Sequence, residues 1–357
     1  MQKVDTPQSE ERLDLVDSES QCCAGSIVVL NELAAGGRAG KRWAMIAHTV
    51  EAALPTPVSI VRGEITSPDL AELLVRLGAT RCKPALVVAA GGDGTVHHVV
   101  NAMANLDDDL RDAMIFGAIG LGSSNDAHKP VGGRIGRIPV LLDWQSASPH
   151  DLCHLEVELP DGSSLRRWWL LNGSSGVQAL ANHRFNAGEG MIGVLKRLHT
   201  DSAIAWTAIS TILRWRGQQL KITLDDAPAS TAELRTIASI AVMKCRHVAG
   251  SFRFPKLVDA DDGQLAVAVI GEVGRWRLLG DLVTLMRDRF CMTDRHQHRE
   301  LHVARRVQLE PSEPAPFEMD GEVIVAIRAV YTASGVTMRL AGPGTATTIP
   351  AAGVSRP

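Results

Sequence analysis

Residues 85–105 have the sequence ALVVAAGGDGTVHHVVNAMAN, in which an apolar run leads into a glycine-rich turn and then into a helical pattern. The run predicts a buried strand, and the pattern after the turn predicts a helix. In an open parallel sheet, ligands bind beyond the carboxyl ends of the strands. Glycines there let the backbone approach phosphate oxygens, and the helix that follows offers free N–H groups. The turn therefore predicts a nucleotide-phosphate loop, formed by Gly91, Gly92, Asp93, Gly94 and Thr95.

Asp93 is an unexpected residue in such a loop, because a carboxylate repels phosphates. It suits the site if it binds Mg²⁺, directly or through water, or if it binds a ribose hydroxyl. The loop is neither a GxxxxGK[ST] nor a spaced GxGxxG sequence, so it belongs to neither of those nucleotide-binding classes. An ordinary tight turn is the alternative interpretation.

Strands alternate with helical patterns through the first half of the chain, with apolar runs at 26–30, 58–61 and 115–119. This alternation is typical of a parallel sheet covered on both faces. From about residue 150 the apolar residues recur with period two, which is typical of antiparallel strands. The predicted fold is a two-domain α/β protein. An N-terminal three-layer α/β domain with a mostly parallel sheet precedes a β-rich, antiparallel, sandwich-like domain.

The domain bounds follow from these changes of pattern. We expect a mobile tail over residues 1–24, a nucleotide-binding domain over 25–148, a β-rich substrate domain over 149–327 and a flexible tail over 343–357. Residues 328–342 are a candidate for a segment that returns to the first domain. The cleft between two such domains is the expected binding site.

Two further segments follow apolar strands and carry polar residues suited to phosphate. The first is a second glycine-containing loop, for which helix capping is the alternative interpretation. The second is a basic turn before a helix. The helix dipole disfavours cations at this end, so an anionic ligand would explain them. A solvated turn is the alternative interpretation. The candidate residues are Gly122, Ser123, Ser124, Asn125 and Asp126 in the loop, and Asn31, Arg38 and Lys41 around the turn.

The composition favours a globular protein that does not bind nucleic acid. The formal net charge is −3 with 37 basic and 40 acidic residues, whereas nucleic-acid-binding domains usually carry a basic excess. The six cysteines are scattered without metal-finger spacing, so reduced thiols in the cytosol are expected. No secretory signal or membrane span is expected.

The segments VVAAGGDGTVHHVVNAM and GAIGLGSSNDAHKP resemble the two nucleotide loops of the diacylglycerol kinase superfamily, which includes bacterial lipid kinases, sphingosine kinases and ceramide kinases. The resemblance runs from about residue 26 to residue 340 and includes FPKLVDADDGQLAVAVI and FEMDGEV. Two positions depart from the family pattern. Glu32 stands where proline is usual, and Ser123 stands where threonine is usual.

The resemblance implies transfer of the ATP γ-phosphoryl group to a lipid hydroxyl, with Mg²⁺ as cofactor. Such a transfer needs positioning, charge neutralisation and a carboxylate that accepts the hydroxyl proton. Glu322 matches the family's proposed base, and Asp320 accompanies it across a turn. From the residues alone, this turn is simply a good hairpin turn.

The resemblance also implies a structural Mg²⁺ site. Asp262 matches a carboxylate that helps to hold this ion in bacterial relatives, and Asp259 and Gln264 match positions that supply backbone carbonyls. Asp259, Asp261 and Asp262 suit hard-cation chemistry. An acidic surface loop is the alternative interpretation.

Three functions remain open at this point: a lipid kinase, an enzyme like the NAD kinases, which share the glycine loop, and a relative that binds nucleotide or lipid without turnover. For a lipid kinase we expect a lipid partner, peripheral contact with the inner membrane surface and no nucleic-acid partner; a homodimer is left open. The basic cluster over 295–306 is interpreted as a solvated strand edge, with contact to anionic membrane as the alternative.

Overall fold

The computed structural model describes residues 22–188, 192–193, 195, 200–225, 227, 232–249, 252–291 and 298–343. The predicted N-terminal tail lies outside the described residues up to residue 21, and the predicted C-terminal tail lies outside them from residue 344 onwards. Among the helices of the described part, none is long and apolar enough to cross a membrane.

Four parallel strands form the N-terminal sheet in the order β2-β1-β3-β4. Their bounds are Gly25–Leu30 (β1), Val58–Arg62 (β2), Ala85–Gly91 (β3) and Met114–Gly120 (β4). Every residue of β1, β3 and β4 is buried. Burial on both faces explains why these strands are continuous apolar runs rather than alternating ones.

Helices cover both faces of this sheet, and the strands divide their side chains between two cores. The helices are α1 (Ala34–Ala53), α2 (Ser67–Leu77), α3 (Asp93–Ala104) and α4 (Asp108–Asp112). Ile27 and Val29 of β1 pack with α2 and α3, whereas Val28 and Leu30 pack with α1. The result is the predicted three-layer arrangement.

The remaining strands pair antiparallel, apart from one parallel contact with β4, and most of those from residue 143 onwards enclose a second core. They are β5 (Gly133–Ile135), β6 (Ile138–Leu141), β7 (Asp143–Glu158), β8 (Ser164–Trp169), β9 (Asn172–Gly176), β10 (Gln218–Leu224), β11 (Leu234–Met243), β12 (His247–Val248), β13 (Phe252–Arg253), β14 (Leu265–Gly271), β15 (Arg299–Ala304), β16 (Arg306–Pro311), β17 (Ala315–Met319), β18 (Glu322–Ala326) and β19 (Arg328–Gly342). The core includes Trp169, Tyr331 and Phe317. The predicted fold class, a parallel-sheet domain followed by a β-rich sandwich-like domain, is confirmed.

The last strand, β19, connects the two halves. It pairs with β7 along most of its length, and near its end Leu340 pairs in parallel with Phe116 of β4. Three helices cover the outer face of the sandwich: α5 (Val177–Ala187), α6 (Thr200–Arg214) and α7 (Arg275–Met286). They pack on β11 and β14 through an apolar cluster that includes Ile212, Ile270 and Leu278.

Candidate active site

The glycine loop turns directly from β3 into α3, because Gly92 occupies the N-cap of the helix in an extended conformation. A side chain at Gly91 would collide with Thr95. The hydroxyl of Thr95 accepts a hydrogen bond from Asn31 Nδ2 at 3.2 Å, which ties the end of β1 to the loop. The N–H of Thr95 donates to the carbonyl of Gly92. The two N–H groups before it, at the start of α3, precede the first intrahelical bond and can face a bound anion.

The second predicted loop lies against the first. The carbonyl of Gly91 accepts hydrogen bonds from the N–H groups of Leu121 (2.8 Å) and Gly122 (2.9 Å). A Cβ on Gly122 would lie 2.5 Å from the Cα of Gly92, so the backbones touch where only glycine fits. Asp93 Oδ1 accepts a hydrogen bond from the N–H of Asp126 at 2.8 Å. The two loops therefore form one structural unit.

Two acidic side chains meet at this unit. Burial, together with the neighbouring carboxylate of Asp126, raises the pKa of Asp93 to about 7. Asp126 is held by Lys129 Nζ at 2.7 Å. The Asn125 backbone is left-handed, with φ at 50°, and its buried Oδ1 has no hydrogen-bond partner among the described residues. Carboxylate and amide oxygens are ligands that suit Mg²⁺, so these residues fit a magnesium–nucleotide complex.

The basic turn presents a different cation from those predicted. Residues 35–37 have positive φ, so α1 becomes regular only after them. Arg38 Nε donates to the carbonyl of Ala35, and Lys41 is exposed. Arg42 Nη1 instead donates to the carbonyls of Leu121 and Gly122, each at 2.7 Å. Arg42 thus fixes the second loop. The sequence shows that Arg42 lies in the basic turn, but it does not show which cation of the turn contacts the loop.

Replacing Arg42 by Ala should weaken nucleotide binding by about 10-fold, because charge-assisted hydrogen bonds that hold the second loop are lost. Isothermal titration with Mg·ATP measures this change. Lys41→Ala is the matched control from the same turn and should change the affinity by less than about 3-fold. A larger effect at Lys41 than at Arg42 would contradict the assignment.

The departure at Glu32 is electrostatically compensated. Its carboxylate forms an ion pair with Arg62 at the end of β2. Glu32 also packs its Cβ 3.4 Å from the position that a side chain on Gly40 would occupy. Its negative charge therefore has a cation beside it and is not left unpaired near the phosphate loops.

Asp320 lies at the turn between β17 and β18 and holds neighbouring backbone. Its Oδ2 accepts from the N–H of Leu170 (2.7 Å), and its Oδ1 accepts from those of Leu171 (2.9 Å) and Asn172 (3.1 Å). His97 of α3 lies 3.9 Å away, measured from Nδ1 to Oδ2. The geometry makes Asp320 a positioning residue that links the sandwich to α3.

Glu322 is the carboxylate that reaches the glycine loop. A Cβ built on Gly94 would lie 3.5 Å from Glu322 Oε1, and Glu322 is exposed. Nearby Glu318, which the sequence argument missed, is buried and accepts from Ser174 Oγ (2.7 Å) and the N–H of Gly321 (2.8 Å). Burial raises the pKa of Glu318 to about 7. Its only sequence signal is its place two residues before Asp320, because alternate side chains along a strand point to the same side.

A cavity of about 1270 Å³, including the part that opens to solvent, joins the carboxylates of Asp93, Asp126, Glu318 and Asp320 to the helices of the sandwich. Its polar lining comes from both loops and from the turn after β17, and includes Asp93, Ser124, Asp126 and Asp320. Its apolar lining comes from α5, α6, α7 and β14, and includes Phe185, Ile204, Ile212, Ile270, Leu282 and Leu285. The cavity therefore suits a ligand with one polar and one apolar end.

The predicted structural metal site does not fit a divalent cation. The ammonium of Lys244 lies 2.6 Å from Asp262 Oδ1 and 2.8 Å from the carbonyl of Gln264. The side chain of Asp259 faces outward and pairs with Lys256. The ammonium of Lys244 already occupies the position that the sequence predicts for Mg²⁺.

The interpretation of the basic cluster over 295–306 as a solvated surface is wrong for two of its described residues. Arg299 is buried and pairs with Asp281 at 2.5 Å, and His298 Nε2 lies 2.9 Å from the same carboxylate. Arg295 and His296 lie outside the described residues. Burial of Arg299 and His298 removes them from any membrane-facing surface.

The fold and the paired glycine loops define a two-domain α/β protein with a cleft at the loops, and comparisons with known proteins refine this class. The model of the diacylglycerol kinase catalytic domain matches residues 26–143, and that of the YegS C-terminal NAD kinase beta sandwich-like domain matches residues 173–341. The chain thus belongs to the diacylglycerol kinase catalytic-domain superfamily. No curated protein matches the sequence.

Solved structures agree with this fold. A diacylglycerol kinase of Bacillus anthracis strain Sterne is 15% identical, covers 89% of this chain and 96% of its own, and superposes with a TM-score of 0.55. A second structure from the same organism, assigned to the same kinases, is 18% identical, with 91% and 97% coverage and a TM-score of 0.61. At these identities the likeness establishes the shared fold.

Proposed function

We propose that this protein is an ATP-dependent lipid kinase that transfers the γ-phosphoryl group to a hydroxyl of a lipid such as a diacylglycerol or a sphingoid base. The observation that carries the proposal is the cavity in which Asp93 and Asp126 share one space with Phe185 and Leu282. A lipid acceptor presents a hydroxyl at one end and hydrocarbon at the other, and the cavity offers matching walls to both.

The residues divide the work of transfer between the two domains. The glycine loop and the N-terminus of α3 hold the phosphates, and Arg42 fixes the loop beside them. Asp93, Asp126 and Asn125 would hold Mg²⁺, which neutralises phosphate charge when bound. Glu322 accepts the proton of the acceptor hydroxyl. The hydroxyl oxygen of the acceptor bonds to the γ-phosphorus at the same time, and ADP departs. Asp320 orients the turn that carries Glu322.

The apolar wall argues against an NAD kinase. The acceptor hydroxyl of NAD belongs to a ribose that is flanked by phosphates and further polar groups. The helices around the cavity instead present Ile204, Ile212 and Leu282, and burying a sugar against such side chains leaves its hydroxyls without hydrogen-bond partners. A lipid chain has no such groups to satisfy.

Labelled ATP distinguishes the alternatives. Purified protein is incubated with γ-labelled ATP and Mg²⁺, and diacylglycerol, sphingosine, ceramide or NAD is offered in separate reactions. We expect label in one of the lipids and none in NAD. Labelled NAD would overturn the proposal. ATP binding without transfer to any lipid would favour a binding protein without turnover.

We also propose that the outer surface of α6 and α7 docks on anionic membrane. These helices line the cavity with their inner sides. Outward they expose Trp206, Ile209 and Leu213 on α6 and Trp276 on α7, the last with 80% of its surface accessible. Exposed Arg275 and Arg277 flank Trp276. Exposed aromatic, aliphatic and basic side chains on these two helices suit a lipid headgroup region, from which the acceptor would enter the cavity.

Replacing Arg275 and Arg277 by Gln should weaken binding to anionic vesicles by roughly 5-fold for each residue, since a cation near such a surface contributes about 1 kcal/mol. Co-sedimentation with phosphatidylserine-containing vesicles measures the change. Met45→Ser changes an exposed side chain on α1, away from the proposed docking surface, and serves as the control. Equal losses of vesicle binding in the control and the arginine variants would contradict the proposed docking surface.

A further inference from the structure

The cluster around Lys244 is a charged site in the interior of the protein. Lys244 follows β11, and its side chain has no accessible surface. Its Nζ lies 2.6 Å from Asp151 Oδ2, 2.6 Å from Asp262 Oδ1 and 2.8 Å from the carbonyl oxygen of Gln264. A lysine ammonium has three N–H donors, so three oxygens at hydrogen-bonding distance satisfy it completely.

The carboxylates of this cluster also accept hydrogen bonds from the backbone. Asp262 accepts from the N–H groups of Asp259 (2.8 Å) and Gln264 (3.0 Å), and Asp151 accepts from that of Gly263 (2.7 Å). Although burial acts to raise it, the hydrogen bonds from Lys244 and the backbone hold the pKa of Asp262 below its usual range. The oxygens thus form a cage of two carboxylates and one carbonyl around a single cation.

We propose that the Lys244 ammonium replaces a divalent cation at this position, so that the folded protein has no structural metal requirement there. The donor set, carboxylate and carbonyl oxygen, is the kind that binds Mg²⁺ or Ca²⁺. Mg²⁺ needs oxygen ligands at 2.0–2.1 Å in near-octahedral geometry. The ammonium fills the centre of the cage, and a metal ion could enter only if the buried side chain left.

The cluster is connected to the active site through the backbone. The N–H groups of Lys244 (2.9 Å) and Cys245 (3.0 Å) both donate to the carbonyl of Leu171. The N–H of Leu171 in turn donates to Asp320. The built-in cation therefore anchors the segment that holds Asp320 against α3, without an ion that chelators could remove.

Metal content and thermal unfolding test this proposal without any measurement of activity. Wild-type protein, dialysed against Mg²⁺ and Ca²⁺ and then desalted, should contain no tightly bound divalent ion by mass spectrometry of the metals. Its Tm without nucleotide should be the same in EDTA as in Mg²⁺. The Asp93→Asn variant, measured in parallel, removes the nucleotide-site carboxylate as a source of metal binding. One equivalent of metal retained by both proteins, with a lower Tm in EDTA, would overturn the proposal.

A lysine variant tests the same point from the opposite direction. Lys244→Ala should lower the Tm by about 10 °C in EDTA, because it leaves the buried carboxylate of Asp151 and the partly exposed carboxylate of Asp262 without a cation. Mg²⁺ or Ca²⁺ should restore part of that loss by entering the vacated cage. Lys256→Ala, which breaks an exposed ion pair with Asp259 in the same loop, is the control and should change the Tm little in either buffer. If the Tm of the Lys244→Ala protein were the same with and without divalent ions, the proposal that Lys244 replaces a divalent cation would be contradicted.

Discussion

Glu322→Gln is expected to lower kcat by about 10²–10⁴-fold, the usual contribution of a general base, while the affinity for Mg·ATP stays within about 3-fold of wild type. The reason is geometric. The side chain of Glu322 reaches the glycine loop at Gly94, from the domain that supplies the apolar wall, and makes no side-chain hydrogen bond with the other described residues. Gln preserves the size of the side chain but cannot accept the proton.

Steady-state kinetics with a lipid acceptor and titration with Mg·ATP measure these two quantities separately. Asp93→Ala is the contrasting variant. It should abolish turnover and also weaken Mg·ATP binding, because Asp93 braces the second loop through the N–H of Asp126. If both variants lost nucleotide affinity equally, Glu322 would belong to the nucleotide site and not to the acceptor side.

Asp320→Asn should destabilise the protein by on the order of 3 kcal/mol and reduce kcat by roughly 10²-fold or more. Both carboxylate oxygens of Asp320 accept backbone N–H groups, so an amide presents an N–H to at least one buried donor whichever way it turns. The turn that carries Glu322 then shifts. Chemical denaturation and kinetics measure the two effects.

Asp225 provides a matched control for this variant. It also has a left-handed backbone, with φ at 50° compared with 46° for Asp320, and its carboxylate accepts two backbone N–H groups where that of Asp320 accepts three. Both of those bonds end on Oδ1, so Asn can keep them. Asp225→Asn should therefore change stability and kcat little. Similar losses in the two variants would show that the effect arises from the left-handed backbone conformation, and not from the hydrogen bonds that both oxygens of Asp320 accept.

The features that sequence predicts well are those set by neighbouring residues. The glycine loop is recognisable because strand, turn and helix are contiguous over residues 85–105, and the second loop has the same local signature. Continuous apolar runs identify β1, β3 and β4 as strands buried on both faces. In each case the signal lies within one short window of the chain.

The features that sequence misses depend on distant partners or on helix phase. Lys244 pairs with Asp151, which lies 93 positions earlier in the chain, and no local sequence pattern predicts a buried ammonium. Arg42 and Lys41 are adjacent, and only the turn of α1 after residues 35–37 decides which of them faces the second loop. Arg299 stands in a basic stretch of sequence, and only its pairing with the distant Asp281 shows that it is buried.

The rate of phosphoryl transfer as a function of acyl length tests the central claim most directly. That claim is that the glycine loop and the apolar cavity form one site. With monomeric short-chain diacylglycerols of increasing length, kcat/KM should rise by up to about 4-fold for each added methylene until the cavity is filled, because each buried methylene contributes about 0.8 kcal/mol. A kcat/KM that is independent of acyl length, or transfer to NAD in preference to every lipid, would contradict the account.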